Sequence, residues 1–579
     1  MRCLIVLVAL ASACAAAPPP TPATPSGPLP PDSSGAGALE DAAIARAEQD
    51  YVDLLTSLSP EHATELGIHA HDADLDDCSI AAFEQGILRE DRMLRELRAR
   101  FDKPHASRAA RTDLALMTHA LAVNIRYKRD VRPPETQPDL YTSPMGALFL
   151  MMARDYAPAA DRAHNALLRM EKIPAVIAAA KANLRNPPRL WTQIGIERAA
   201  SAKDFFEGER PLLEAALPAE KARIDTTLRA ATEAYVGYRA FLEKEVLPRS
   251  TGNFAAGRPL FELMVHEGYF LGEGVDELYA LGEKIFARTD AQMSEVARHV
   301  EPHAGGWPEV VARLKGKHPT ADGLLGAYRT EVQRARAFLV AHDVVPFPPD
   351  DVLDVVDTPP FQRTTIQAAY DAPPPFDAVT KGLFFVTPVD RTWSPERQDG
   401  WLRENDDGDI VDTAVHEAYP GHHLQLSFAR RNPSLVRKAT ETAILEEGWA
   451  LYSEELMAEL GYYTEEQRLM QLEWTLVRAA RVMLDIGLHV RGMTFEQAVA
   501  FLTDKVHLER DLAVSEAKRY TQMPTQPMSY LIGREMIFRM RERYRVREGS
   551  AYTLKRFHAD LLSRGSIAPG LLEQEMFEP

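Results

Sequence analysis

The stretch Val415–Leu426 reads VHEAYPGHHLQL. A zinc-binding helix often carries H-E-x-x-H, its second histidine four places after the first. Here Ala418, Tyr419, Pro420 and Gly421 separate His416 and Glu417 from His422, and His423 follows at once. Histidines four apart lie about 40° apart around a helix and about 6 Å along it, so both can reach one ion. Six residues of unbroken helix would swing the second ring about 120° away. Pro420 removes a backbone donor and clashes with the preceding turn, while Gly421 tolerates unusual dihedrals. A bulge here would loop out two residues and return His422 to the second ligand position. His423 is the rival, since seven places regain the face, but about 10 Å along the axis. The spacing favours His422 and leaves His423 open. Asp407-Gly408-Asp409 can cap the helix, with Ile410, Val411, Ala414 and Val415 on its apolar side. Asp412, one turn before His416, either orients a ligand or stays solvated.

A third ligand must come from elsewhere. Glu441–Gly461 reads ETAILEEGWALYSEELMAELG. Its acidic pair Glu446-Glu447 sits in an apolar helical run, which is unfavourable unless the charges find partners. A cation would be one. Two imidazoles and a carboxylate suit a single Zn2+ ion and leave a position for water. Zinc lowers the pKa of that water, and Glu417 is placed to act as general base and then acid. A carbonyl attacked in this way becomes an oxyanion and needs a further donor.

Outward from this stretch the pattern is mostly helical. Leu39–Leu58 places Ala43, Ile44, Ala47, Tyr51, Leu54 and Leu55 at three- and four-residue steps. Similar patterns run through Ile80–Phe101, Ala109–Tyr127, Ala159–Ala182, Pro188–Phe206 and Pro218–Val246, with Pro174 splitting the third. The clearest strand is GLFFVTPV, Gly382–Val389, and the proline-rich segment before it has room for another short strand. Helices resume at Ser394. The expected fold class is mainly α: a large helical body with a deep central cleft and a small β element bordering it. Gly382–Val389 could form the cleft edge along which an extended peptide lies, or simply fill the core.

The chain has 579 residues and a formal net charge of -18, which argues against a nucleic-acid partner. Its N-terminus carries Arg2, a short apolar run and then small residues, the form of an export signal over residues 1–14. LASAC ends in Cys14 and resembles a bacterial lipobox, with Leu10 one place further from the cysteine than usual. The expectation is lipidation at Cys14; plain cleavage would release a periplasmic protein instead. Residues 15–38, rich in Pro, Ser and Ala, form a tether. Residues 39–579 form one large domain, either a single body or two lobes. Of three cysteines only Cys78 lies in that domain, so no disulfide framework supports it.

HEAYPGHHLQ, EEGWALYSEEL and YTQMPTQPMSYLIG (Tyr520–Gly533) together resemble the bacterial domain-of-unknown-function family 885. That family looks distantly similar to zinc peptidases typified by thimet oligopeptidase and angiotensin-converting enzyme. The resemblance spans most of the domain; its motifs lie between Gly382 and Gly533. It implies Gly421-His422 as the Gly-His end of the histidine motif, with two residues inserted, and dipeptidyl peptidase III is a precedent for an expanded motif. It implies Glu447 as the third ligand, with Glu446 the runner-up. It also implies a late tyrosine facing the oxyanion, Tyr530 first and Tyr520 second. Asp485 and His489 stand one helical turn apart and could meet near substrate, and Arg519 could bind a substrate carboxylate. The expectation is therefore an exported zinc metallopeptidase of the cell envelope acting on short peptides. The alternatives are a zinc-dependent amide hydrolase of cell-wall fragments or small amides, and a catalytically silent binding lipoprotein.

Overall fold

Ala43, Ile44, Ala47, Tyr51 and Leu54 mark one face of helix Gly35–Leu58, and all five are buried. The computed structural model describes residues 35–102, 105–358, 363, 367–440 and 442–578. Cys14 and most of the stretch 15–38 lie outside them, and the first helix already begins at Gly35. Among the described residues, no helix is long and apolar enough to cross a membrane. The fold is mainly α with one small sheet.

The two ends of the chain share a core. Ala43, Ile44 and Tyr51 pack in one cluster with Trp449, Ile537 and Phe557. Helices between Tyr141 and Val246 gather a second apolar cluster of their own. Pro174 does divide the chain, at the second position of helix Ile173–Asn183 after helix Ala159–Met170. The expected segment Pro188–Phe206 is also divided, at Ser201, into helices Arg189–Ala200 and Ala202–Ala216.

The sheet lies between two further apolar clusters. Its strands β1 (Leu353–Asp357), β2 (Ala368–Asp371) and β3 (Gly382–Val386) lie in the order β1-β3-β2. β3 pairs in parallel with β1 and antiparallel with β2, and all five of its residues are buried. Alternation sends Phe384 and Val386 toward Ile410, Val411, Ala414 and Val415, and sends Leu383 and Phe385 toward Phe149 and Leu150. With both edges paired, β3 cannot add a peptide strand. The cleft is bordered instead by β2. β1 escapes the sequence pattern because only Val355 of its five residues is fully buried.

Helix Ala443–Glu459 crosses helix Gln526–Glu548 at Gly448 and Gly533. A Cβ on Gly533 would stand 1.9 Å from the Ile444 carbonyl oxygen, and one on Gly448 2.6 Å from the Gly533 Cα. The backbones therefore touch, which brings the start of one helix, with Glu447, to the start of the other, with Tyr530. Gly533→Ala is expected to lower stability by about 3 kcal/mol, since the clash is with backbone and no side chain can move aside. Urea denaturation checks this, and an unchanged midpoint would refute the close crossing.

Candidate metal centre

The first histidine helix, Asp407–Glu417, is capped by Asp406 and not by the triplet after it: the Asp406 carboxylate accepts from the Gly408 and Asp409 N–H groups at 2.8 and 3.1 Å. The helix does not bulge and continue. It stops at Glu417, and after Ala418, Tyr419, Pro420 and Gly421 a separate helix starts at His422 and runs to Ala429. The link doubles back tightly. The Gly421 N–H donates to the Val415 carbonyl at 3.0 Å, and a Cβ on Gly421 would stand 1.8 Å from the His416 carbonyl oxygen. Trp449, from helix Ala443–Glu459, pins the link by donating to the Pro420 carbonyl at 2.7 Å.

This turn sets the His416 and His422 rings 4.8 Å apart and nearly perpendicular. Their Nε2 atoms lie 3.6 and 3.3 Å from one oxygen, Oε2 of Glu447. The other ring nitrogen of His416, Nδ1, is held by Glu454 Oε1 at 2.7 Å. Burial disfavours a charged His416, but hydrogen bonds to Glu447 and Glu454 outweigh it and push the imidazole up to about 10. Glu447 is held well below the carboxylate range: the two histidines overcome the cost of its burial.

Glu417 lies beside this group, its ligand atom within 4.8 Å of those of His416 and His422. The Tyr370 N–H of β2 donates to its Oε2 at 3.1 Å. The Tyr530 ring lies 6.4 Å from the His416 ring, nearly parallel to it, with the Arg481 guanidinium 4.7 Å from its own centroid. Burial, then the Glu447 charge, push the phenol up, so it stays a protonated donor. His416, Glu417, His422, Glu447 and Tyr530 line one cleft of about 510 Å³.

His423 is turned away. It is fully buried, with Nδ1 against the Tyr370 hydroxyl at 3.0 Å and Nε2 against Asp351 at 2.8 Å, so neither nitrogen is free. Glu446 lines the cleft but does not join the cluster: its Oε1 accepts from Ser566 at 2.6 Å, and burial raises its pKa. Asp412 accepts from Tyr463 at 3.0 Å, while Glu454 orients His416. Asp485 and His489 do meet on one helix face, with His489 Nε2 3.9 Å from Asp485 Oδ1, too far for a hydrogen bond, and neither lines the cleft. Asp485 accepts from the Thr525 and Met528 N–H groups at the head of the Tyr530 helix, and His489 bonds the Tyr520 carbonyl. Tyr520 and Arg519 are both tied to Glu516, away from the cleft. Cys14 lies outside the described residues. The sequence reading gave no role to Glu454. It stands seven places after Glu447, about 20° around the same helix, and that spacing is its signal.

Two imidazoles and a carboxylate converging, with a second carboxylate behind one imidazole, are the donor set and outer support that zinc favours. The fold and site thus define a mainly helical protein with a His/His/Glu cluster in a cleft bordered by a small sheet. The chain belongs to the family described as bacterial protein of unknown function (DUF885), which matches residues 60–576. It is similar to a candidate lipoprotein of unknown function from Shewanella oneidensis: 27% identity, TM-score 0.78, covering 92% of this chain and 100% of that one. A candidate lipoprotein from Colwellia psychrerythraea shares the fold at 19% identity and TM-score 0.78, over 93% of this chain and 98% of its own. No functionally curated protein matches the chain.

The partners of each histidine separate their expected roles. His422→Ala and Glu447→Ala are expected to lose stoichiometric metal, read by elemental analysis of the purified protein. His423→Ala is expected to keep it while losing about 1–3 kcal/mol of stability, because it strips partners from buried Asp351 and Tyr370. Metal kept by His422→Ala and lost by His423→Ala would reverse the ligand assignment.

Proposed function

We propose that this chain is a zinc-dependent hydrolase of peptide bonds in short peptides. The observation that carries this reading is the convergence of His416 Nε2 and His422 Nε2 on Glu447 Oε2, with Glu417 beside them in the cleft. His416, His422 and Glu447 would hold the ion. When bound, zinc supplies Lewis acidity and a water made acidic enough to lose a proton near neutral pH.

The remaining chemistry belongs to the chain's own groups. Glu417 takes the proton from the attacking water; the Tyr370 N–H occupies its Oε2 and leaves Oε1 to receive it. The water oxygen bonds to the amide carbon, and the former carbonyl oxygen gains negative charge. The Tyr530 hydroxyl, kept protonated by its surroundings, donates to that oxygen. Collapse breaks the C–N bond, and Glu417 passes its proton to the departing amine. A carboxylic acid and an amine result, and Glu417 returns to its starting state. A cleft of about 510 Å³ admits a short extended chain and excludes a folded protein.

Location follows from residues before the described part. The apolar run, the stretch LASAC and the description of two relatives as candidate lipoproteins support an exported chain anchored through Cys14. Cys14→Ser is expected to move the protein from the membrane fraction to the soluble one, checked by immunoblotting; an unchanged partition would exclude the anchor.

Glu417→Gln keeps shape and removes the base. Its zinc content is expected to equal that of the wild type, while kcat on a mixture of short peptides falls about 10²–10⁴-fold. Mass spectrometry of the products reads the difference. Equal turnover by the variant would sink the reading.

A further inference from the structure

Three arginines on neighbouring helices lie near Tyr530, and they are not equivalent. Arg481 pairs with Glu516 at 2.7 Å, and Arg519 pairs with the same carboxylate at 3.1 Å. Arg478, one turn before Arg481, has no such partner. It is 9% exposed, its Nε and Nη1 make no hydrogen bond, and among the described residues no carboxylate forms an ion pair with it. Its guanidinium lies 4.6 Å from the centroid of the Trp474 ring and 5.8 Å from that of Tyr530, and it lines the same cleft as the metal cluster. Asp412 is the acidic neighbour that acts on Arg478 electrostatically, but burial and the Glu454 charge hold its carboxyl well above the usual range, its Oδ1 accepts from Tyr463, and it makes no hydrogen bond to the guanidinium.

A buried guanidinium with unused donors is costly. Stacking on Trp474 offsets part of that cost but supplies no acceptor for the N–H groups. A carboxylate supplies two acceptors in the planar geometry that matches arginine's fork. The position is also informative. Arg478 is 5.8 Å from the Tyr530 ring, which is 6.4 Å from the His416 ring. An extended peptide rises about 3.5 Å per residue, so a carboxylate on Arg478 lies within about four residues of the bond at the metal cluster.

We propose that Arg478 receives the free C-terminal carboxylate of a peptide, so that the chain releases short fragments from C-termini and does not cut internally. This rests on the peptidase reading above. Arg478 is then a specificity-determining residue, and it takes over the anion-binding part that the sequence suggested for Arg519, whose N–H groups are already bonded to Glu516 and Gln526 outside the cleft.

The test uses the zinc-loaded full chain and a mixture of N-acetylated pentapeptides in three forms: free acids, C-terminal amides, and amides ending in Glu. The wild type is expected to cleave the acids about tenfold or more faster than either amide. Arg478→Met should erase that preference, and Arg478→Lys should keep part of it. A second readout needs no turnover: equilibrium dialysis of dipeptide acids and dipeptide amides against Glu417→Gln, alone and combined with Arg478→Met. The acids should be retained about tenfold over the amides by the first protein and not by the second. Equal cleavage of acids and amides would overturn this proposal and leave the peptidase reading standing. Acid-selective retention that depends on Arg478, with no peptide cleaved, would sink the peptidase reading and leave the carboxylate site standing. Glu-ending amides handled as well as the acids would assign Arg478 to acidic side chains and overturn the C-terminal claim, and so would retention of neither dipeptide form.

Discussion

The contact between Gly421 and the carbonyl of His416 governs the geometry of the site. A polypeptide that ends one helix and starts another within four residues must bring its backbone against itself. Here it comes so close that a single methyl group at residue 421 would overlap the His416 oxygen. Because the link is that short, His422 begins its helix beside the last turn of the previous one. Two imidazoles that an unbroken helix would hold on different faces therefore meet one carboxylate oxygen. The Gly448–Gly533 crossing completes the arrangement from the opposite side by bringing Glu447 and Tyr530 forward together.

Electrostatics sharpen what the backbone assembles. Asp409, Asp412 and Glu446 are buried near the cleft, and burial raises all three, Asp409 to about 8 with the further push of Asp406. Glu447 goes the other way and stays ionised. Burial thus works against negative charge at these three groups and is overcome at Glu447, where the two Nε2 atoms point. Hydrogen bonds to Glu447 and Glu454 push the His416 imidazole up to about 10, so the carboxylates that would favour a cation here also favour a proton. Metal and proton compete for such a site, and loading it releases acid.

Much of this was legible in the sequence because it depends on neighbours along the chain. Pro420 and Gly421 announce the break, and the acidic pair in an apolar helix announces a buried charge needing a partner. Helix faces such as Ala43 to Leu54 follow from spacing alone. What remained hidden depends on residues distant in sequence. The choice between His422 and His423 is made by Asp351 and Tyr370, which occupy both nitrogens of His423. Glu446 is taken by Ser566, and Asp485 is used as a helix cap, where the sequence suggested a partner for His489. Pairwise spacing on one helix cannot foresee a competitor arriving from another.

The sheet shows how a small element can serve the site without touching substrate. β3, the obvious strand, is enclosed on both edges and ties helix Asp407–Glu417 to Phe149 and Leu150. β2, a short segment of AAYD, is the one that borders the cleft. Its Tyr370 N–H, pointing away from β3, is already spent on Glu417. A peptide laid along β2 would have to forgo that ladder bond or take it from the carboxylate. An edge strand used in this way fixes the orientation of Glu417, and the hydroxyl of the same Tyr370 holds His423 out of the cluster. One strand residue therefore sets both the position of the carboxylate and the identity of the histidine beside it.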